Sequence, residues 1–236
     1  MGDLRFYELG GKQYPSVTSI IGSLDKGEGL MKWACSLGYD ESRKVLGEAS
    51  YRGRTVHRYI NEWLLGKNAE DIGIDEKFLG YWKSFEKAAL YLWGGQRPKA
   101  FKSELNVFCE KYGFAGQLDY VGDINIPRYD MVSAEMGLLD WKTSSSLRAE
   151  AGMQTIAYAV AWNELHPKTP VQHRLAVRLG KDGEFNPNLK RDLRWYPRAD
   201  DAVDFVAFLG LRDAFAWKYR NKFILGDRSE QDRDQD

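Results

Sequence analysis

Only two cysteines, Cys35 and Cys109, occur in 236 residues, which excludes a disulfide scaffold, a four-cysteine zinc site and a four-cysteine iron–sulfur cluster. No apolar run approaches the ~20 residues that a membrane span needs. The N-terminal stretch MGDLRFYELGG lacks the apolar block of a signal peptide, and no Ser or Thr stands where myristoylation wants one after Gly2. A cytoplasmic, membrane-free protein is therefore expected. Net charge is lacking as well: 34 basic side chains face 34 acidic ones, which argues against a general coat of nucleic-acid affinity. The chain has no G-x-S-x-G, no Walker A loop and no H-E-x-x-H. Gly10-Gly11 and Gly94-Gly95 read as turns, not phosphate loops. No internal repeat, low-complexity block or clear linker interrupts it.

What is present is a folding composition. Hydrophobic residues make up 43% and charged residues 29%, and the length suits one domain with a core and a cleft. The charge is uneven. Lys168 to Arg198 carries eight basic and three acidic residues, whereas Asp227 to Asp236 carries five acids and two arginines. Both stretches can be solvated surface, and the first can also track a nucleic-acid backbone.

The patterning predicts a hairpin over Arg5–Leu9 and Lys12–Tyr14. Helices follow over Leu30–Val45, Glu48–Leu65 and Asp75–Trp93. Val56, Tyr59, Ile60, Trp63 and Leu64 form the apolar stripe of the second. The period then changes to two. Phe101–Cys109 and Phe114–Val121 read as an antiparallel hairpin, Asp123–Glu135 as a loop and Gly137–Thr143 as a short apolar strand. A helix over Leu147–Leu165, strands over Gln172–Leu179 and Asp192–Tyr196, and a helix over Asp200–Lys222 complete the chain. This order implies an α/β or α+β core, a mixed sheet flanked by helices, with a helical N-terminal arm.

Five places carry side chains fit for chemistry. In Gly137–Thr143, strand alternation puts Asp140 and Lys142 on one face and Trp141 on the other. A carboxylate there can bind a hard cation, and the neighbouring ammonium can hold phosphate charge; an ordinary ion pair is the bland alternative. Leu138 and Leu139 make the strand look buried on both faces, where an idle Asp and Lys are costly. Asp119, in Gly116-Gln117-Leu118-Asp119, lies on the preceding strand and can approach Asp140. Glu104 opens the partner strand. His57, in Gly53-Arg54-Thr55-Val56-His57, sits at the margin of a helical apolar stripe and suits a packed core histidine as well as a ligand. Gln154 and Tyr158 share a helix face, either as a structural pair or as a substrate contact.

Taken in order, G-R-T-V-H, S-E, G-Q-L-D, L-L-D-W-K-T-S and Q-T-I-A-Y resemble the RecB-like branch of the PD-(D/E)xK nuclease superfamily, over about Arg52 to Tyr158. The opening Tyr14-Pro15-Ser16-Val17-Thr18-Ser19-Ile20, with Trp33 after it, is similar to the mitochondrial genome maintenance exonuclease family and its phage and bacterial relatives. The resemblance implies a restriction-endonuclease-like core and hydrolysis of DNA phosphodiesters. Asp119 and Asp140 would be the central metal carboxylates, with His57 and the Trp141 carbonyl as further ligands and Glu104 serving a second metal or a water. Lys142 would orient and help deprotonate the attacking water. Gln154 and Tyr158 would contact DNA, and Arg54, Arg174 and Arg178 are further candidates for that role. One or two Mg²⁺ or Mn²⁺ ions are implied, without an iron–sulfur cluster. Leu118 stands where the family name has proline.

A single nuclease domain over 1–236 follows: a hairpin and helical arm over 1–50, a catalytic core over 51–198, a C-terminal helix over 199–226 and an acidic tail, expected to be flexible, over 227–236. The expected substrate is single-stranded DNA or DNA ends, in recombination, repair or phage replication, with a recombination or replication protein as a further partner. Exonuclease, endonuclease and a non-catalytic nucleic-acid binder of the same fold remain the open alternatives. So do strand polarity and oligomeric state.

Overall fold

The computed structural model describes residues 4–24, 27–124 and 135–224. The expected loop over 123–135 and the acidic tail lie largely or wholly outside them. Strands β1 (Phe6–Leu9) and β2 (Lys12–Pro15) form the N-terminal hairpin around Gly10 and Gly11, both at positive φ. Ser16 then caps the short helix α1 (Val17–Ile21), its hydroxyl accepting from the Ser19 N–H.

The arm differs from the expected single helix over 30–45. It is split into α2 (Gly27–Leu37) and α3 (Tyr39–Leu64). Gly38, at φ 81°, makes the break, a conformation that other residues adopt only with strain. Beyond it α3 runs for 26 residues, straight through the expected boundary near 46–47. Gly47 is tolerated inside the helix, as one residue of poor propensity costs only ~1 kcal/mol. The short α4 (Ala69–Ile72), a 3₁₀ turn (Glu76–Phe78) and α5 (Leu79–Trp93) follow. Gly94 closes α5 in the left-handed conformation.

Five strands form the main sheet: β3 (Phe101–Cys109), β4 (Phe114–Ile124), β5 (Glu135–Lys142), β6 (His173–Arg178) and β7 (Leu193–Tyr196), side by side in that order. All neighbours are antiparallel except β5 and β6, which are joined by α6 (Glu150–Leu165) and run parallel. The last helix, α7 (Asp201–Ile224), follows a 3₁₀ turn at Arg198–Asp200.

Helices cover both faces of the sheet. Val56, Tyr59, Ile60 and Leu64 of α3 and Trp82, Phe85, Ala89 and Leu92 of α5 pack on Tyr120, Leu139, Trp141, Leu175 and Val177. Helices α1, α6 and α7 pack on the other face, against Val107, Leu118, Val121 and Leu138. Sandwiched between sheet and helices, α6 is buried on most sides, which explains its small residues Ala151, Gly152, Ala157, Ala159 and Ala161. At Gly152 a Cβ would lie 3.0 Å from both the Asp204 carboxylate and the Tyr196 ring. Among the described residues, no helix is long and apolar enough to cross a membrane.

The sheet has a local irregularity. Phe101 faces α3 and α5, yet Leu105, Val107 and Cys109 face α6 and α7. Strand alternation would keep all four on one side. On β4, Tyr120 and Leu118 part in the same way. The ladder pairs Ser103 with Tyr120 and Leu105 with Leu118, but not Glu104 with Asp119. Glu104 stands at φ 49°, the one residue besides glycines at positive φ among those described, and so turns the strand over.

Candidate metal centre

The two residues at that irregularity, Glu104 and Asp119, face His57 of α3. The buried stripe of Val56, Tyr59 and Ile60 clamps α3 to the sheet and brings His57 over the middle of β3 and β4 and the end of β5. Its Nδ1 lies 3.3 Å from Asp119 Oδ1 and 3.7 Å from Glu104 Oε1. Its Nε2 lies 3.0 Å from the Trp141 carbonyl oxygen. One ligand atom from each of His57, Glu104 and Asp119 falls within 4.8 Å of the others.

Strands β4 and β5 fork here. Their ladder stops at Tyr120–Leu139, one residue short of Asp119 and Asp140. In place of a further rung, Asp119 Oδ2 accepts the Trp141 N–H at 2.8 Å. Trp141 itself points away, buried edge-on to Phe85 with ring centroids 5.7 Å apart. Asp140 and Lys142 share the opposite face, as the alternation predicted. Lys142 Nζ stands 2.9 and 2.7 Å from the two Asp140 oxygens, but only the contact to Oδ1 is aligned as a hydrogen bond. Asp140 Oδ2 is thus buried without a hydrogen-bond donor.

Gln154 locks this pair. Its carbonyl accepts from Lys142 Nζ at 2.9 Å, while its amide donates to Asp140 Oδ1 at 2.9 Å and reaches the Tyr158 hydroxyl at 3.3 Å. Tyr158 fits because Gly116 lies under its ring, where a Cβ would come within 2.5 Å of a ring carbon. Gln117 Nε2 donates to the Glu104 carbonyl at 3.2 Å and steadies the left-handed residue.

The electrostatics point to a site for positive charge. Burial by itself would lower the His57 pKa, but the Asp119 and Glu104 carboxylates outweigh it and raise it to about 10. Burial likewise opposes ionisation of Asp119, yet His57, Lys142 and the Trp141 N–H hold it below the usual carboxylate range. Asp140 goes the other way. Burial, reinforced by Asp119 and opposed by Lys142, pushes it up to about 6. Two carboxylates, Glu104 and Asp119, are thus gathered about one point, where the His57 proton offsets one of the two negative charges. That oxygen-rich donor set with one imidazole suits Mg²⁺ or Mn²⁺, and Asp140, ion-paired with Lys142, lies on the adjoining strand.

These groups line a cleft of about 690 Å³. The structure therefore brings His57, Glu104 and Asp119 together as a cluster, with Asp140, Lys142, Gln154 and Tyr158 as a bonded network beside it. Asp140 is committed to Lys142 and stands outside the three-residue cluster. Arg54 also lines the cleft, its guanidinium donating to Ser50 Oγ at 2.6 Å.

Arg174 and Arg178, expected to contact DNA, are both engaged by acids of the fold. Arg174 is 2% exposed; it donates to Asp201 and Asp204 of α7 and to the Gly152 carbonyl. Arg178, 7% exposed, pairs with the fully buried Asp192. Both are internal ties. The basic surplus of 168–198 is therefore smaller on the surface than in the sequence.

Sequence reasoning missed Arg5 and Tyr7 of the N-terminal hairpin, and Arg52, which also line the cleft. No local signal marks them, since their place depends on how the hairpin and α3 dock. Gln117 lay inside a quoted motif without a role. Neither protein-family models nor curated proteins match the chain.

Proposed function

We propose that this protein is a divalent-metal-dependent DNA exonuclease with a restriction-endonuclease-like core, acting on single strands or DNA ends in recombination, repair or phage replication. The observation that carries the reading is the convergence of His57, Glu104 and Asp119 from a helix and two strands beside the Asp140–Lys142 pair. A structural ion-pair network needs neither a left-handed Glu104 nor a fork between β4 and β5.

His57, Glu104 and Asp119 would hold Mg²⁺ or Mn²⁺, with the Trp141 carbonyl and Asp140 adjoining. A bound divalent ion stabilises charge on a phosphoryl oxygen and lowers the pKa of water. Lys142, its rotamer held by Asp140 and Gln154, presents an ammonium to the cleft that steadies the scissile phosphate and orients the attacking water. Gln154 and Tyr158 act by positioning Lys142 and Asp140. Tyr158 stays a neutral phenol, because burial and the Asp119 and Asp140 charges push its pKa well up.

The test is incubation with end-labelled linear single- and double-stranded DNA, and with closed circular DNA, in Mg²⁺, Mn²⁺ or EDTA. Shortening of linear DNA with either metal and none in EDTA is expected. Asp119→Ala, Asp140→Ala and Lys142→Ala should each lower the rate by roughly 10²-fold or more while the chain stays folded by circular dichroism. Cleavage of closed circles would make it an endonuclease. DNA binding without cleavage in any metal would make it a non-catalytic binder. A fully active Asp140→Ala protein would refute the assignment.

A further inference from the structure

A second cleft adjoins the first. Parallel strands β5 and β6 end together at Lys142 and Arg178. Their outgoing loops line a cavity of about 570 Å³ together with Arg52 and Tyr81. Crevices at the carboxyl ends of parallel strands are where open α/β sheets bind ligands, because the loops diverge there. Arg52, Thr143 and Ser144 border both cavities, so the two are parts of one groove.

Three cations line this second cavity, Arg52, Arg178 and Lys181, and only Arg178 is neutralised, by Asp192. Among the described residues, no acid pairs with Arg52 or Lys181. The Arg52 Nε is buried without an acceptor, and its guanidinium carbon lies 5.7 Å over the Tyr81 ring. Lys181 is exposed, on a turn braced from behind. The Gly180 N–H donates to Ser84 Oγ, which itself donates to the Glu184 carbonyl. Helix α5 approaches so closely that a Cβ at Gly80 would sit 1.9 Å from the Lys181 carbonyl oxygen. Thr143, Ser144 and Ser145 add hydroxyls to the wall. Asp182 is the one acid on it among the described residues, and its Oδ1 already accepts the Glu184 N–H.

We infer that this cavity is a phosphate subsite, in which Arg52, Lys181 and the Thr143–Ser145 hydroxyls hold a phosphate of the same polynucleotide strand whose neighbouring linkage lies at the metal centre. The identity of the strand rests on the nuclease reading. The preference for an oxyanion rests on the cavity itself.

Binding of a fluorescent single-stranded oligonucleotide, followed by anisotropy in EDTA across a salt series, tests the subsite without any cleavage. Arg52→Gln and Lys181→Gln should each weaken binding severalfold and reduce the slope of log affinity against log salt by about 0.7, and the pair by about 1.4. Lys181→Arg should bind as wild type does. So should Lys111→Gln, at the β3–β4 turn outside both cavities. Wild-type affinity and slope in the double variant, or an equal loss in Lys111→Gln, overturns the subsite whether or not the protein cuts DNA. Oligonucleotides with 5′-phosphate and 5′-hydroxyl ends identify the source. A loss confined to phosphorylated ends assigns a terminal phosphate, and an equal loss assigns an internal linkage; both support the subsite. If the variants lose binding but no metal yields cleavage, the nuclease reading fails and the subsite stands.

Discussion

His57 holds the proton that lets Glu104 and Asp119 share a buried corner. Its pKa is 6.5 in an unperturbed chain and about 10 in the fold. The metal-free fold therefore binds a proton that the unfolded chain releases between these values. The stability this contributes is complete below pH 6.5 and lost as pH rises through about 10. A metal ion at the cluster must displace that proton, so Mn²⁺ affinity should rise up to ~10-fold per pH unit below about pH 10, with one proton released per ion. Calorimetric titration in buffers of different ionisation enthalpy measures both quantities. Affinity independent of pH would show that His57 is not a ligand. Asp119→Asn should weaken Mn²⁺ binding and move the pH dependence to lower pH, because it takes away a ligand and the larger of the two charges that hold the proton.

At the scale of elements, the centre exists because two strands turn over at one point and a third peels away. Glu104 at φ 49° breaks the alternation of β3, and the unpaired rung opposite frees Asp119 to reach the Trp141 N–H. Backbone strain of this kind costs ~1–3 kcal/mol and persists only where its surroundings enforce it. Gly116 is the matching small residue on β4. Gly116→Ala puts a methyl group 2.5 Å from a Tyr158 ring carbon, and the buried ring must move. A loss of about 1–3 kcal/mol in chemical denaturation is expected. Under the proposed nuclease function, cleavage should slow while Mn²⁺ affinity is unchanged, since Tyr158 touches Gln154 and not the His57–Glu104–Asp119 cluster. Adding Tyr158→Leu to Gly116→Ala should recover part of the stability but not the rate.

Across the whole molecule, buried arginines hold the layers together. Arg174 joins β6 to the start of α7 through Asp201 and Asp204, and to α6 through the Gly152 carbonyl and the Thr155 hydroxyl. Arg174→Met leaves those acceptors unpaired and should cost about 3 kcal/mol, measured by denaturant unfolding. DNA affinity at a temperature where the variant is folded should be unchanged, unlike the result for a residue that grips the backbone. The same wide-scale docking sets the N-terminal hairpin over the cleft. The Ser16–Ala115 bridge ties that hairpin to β4, and Arg5 and Tyr7 thereby line the cleft that holds His57, Glu104 and Asp119.

Local periodicity sufficed for most of the elements and for which side chains share a strand face, because alternation and helical stripes are properties of short stretches. The facing of Asp140 and Lys142 away from Trp141 follows from a two-residue repeat, and the α3 and α5 stripes from a helical one. The single long α3 was not legible, since Gly38 and Gly47 look alike as helix breakers in the sequence and only Gly38 adopts a positive φ. The tertiary structure alone decided which charges are available. Arg174 and Arg178 look like Arg52 and Lys181 in the chain, but each is neutralised by a partner 27 or 14 residues away, whereas no described acid pairs with Arg52 or Lys181. Ion pairing depends on distance in space, and burial sets its strength, so a one-dimensional charge count cannot separate a cation that braces the fold from one left to meet a ligand.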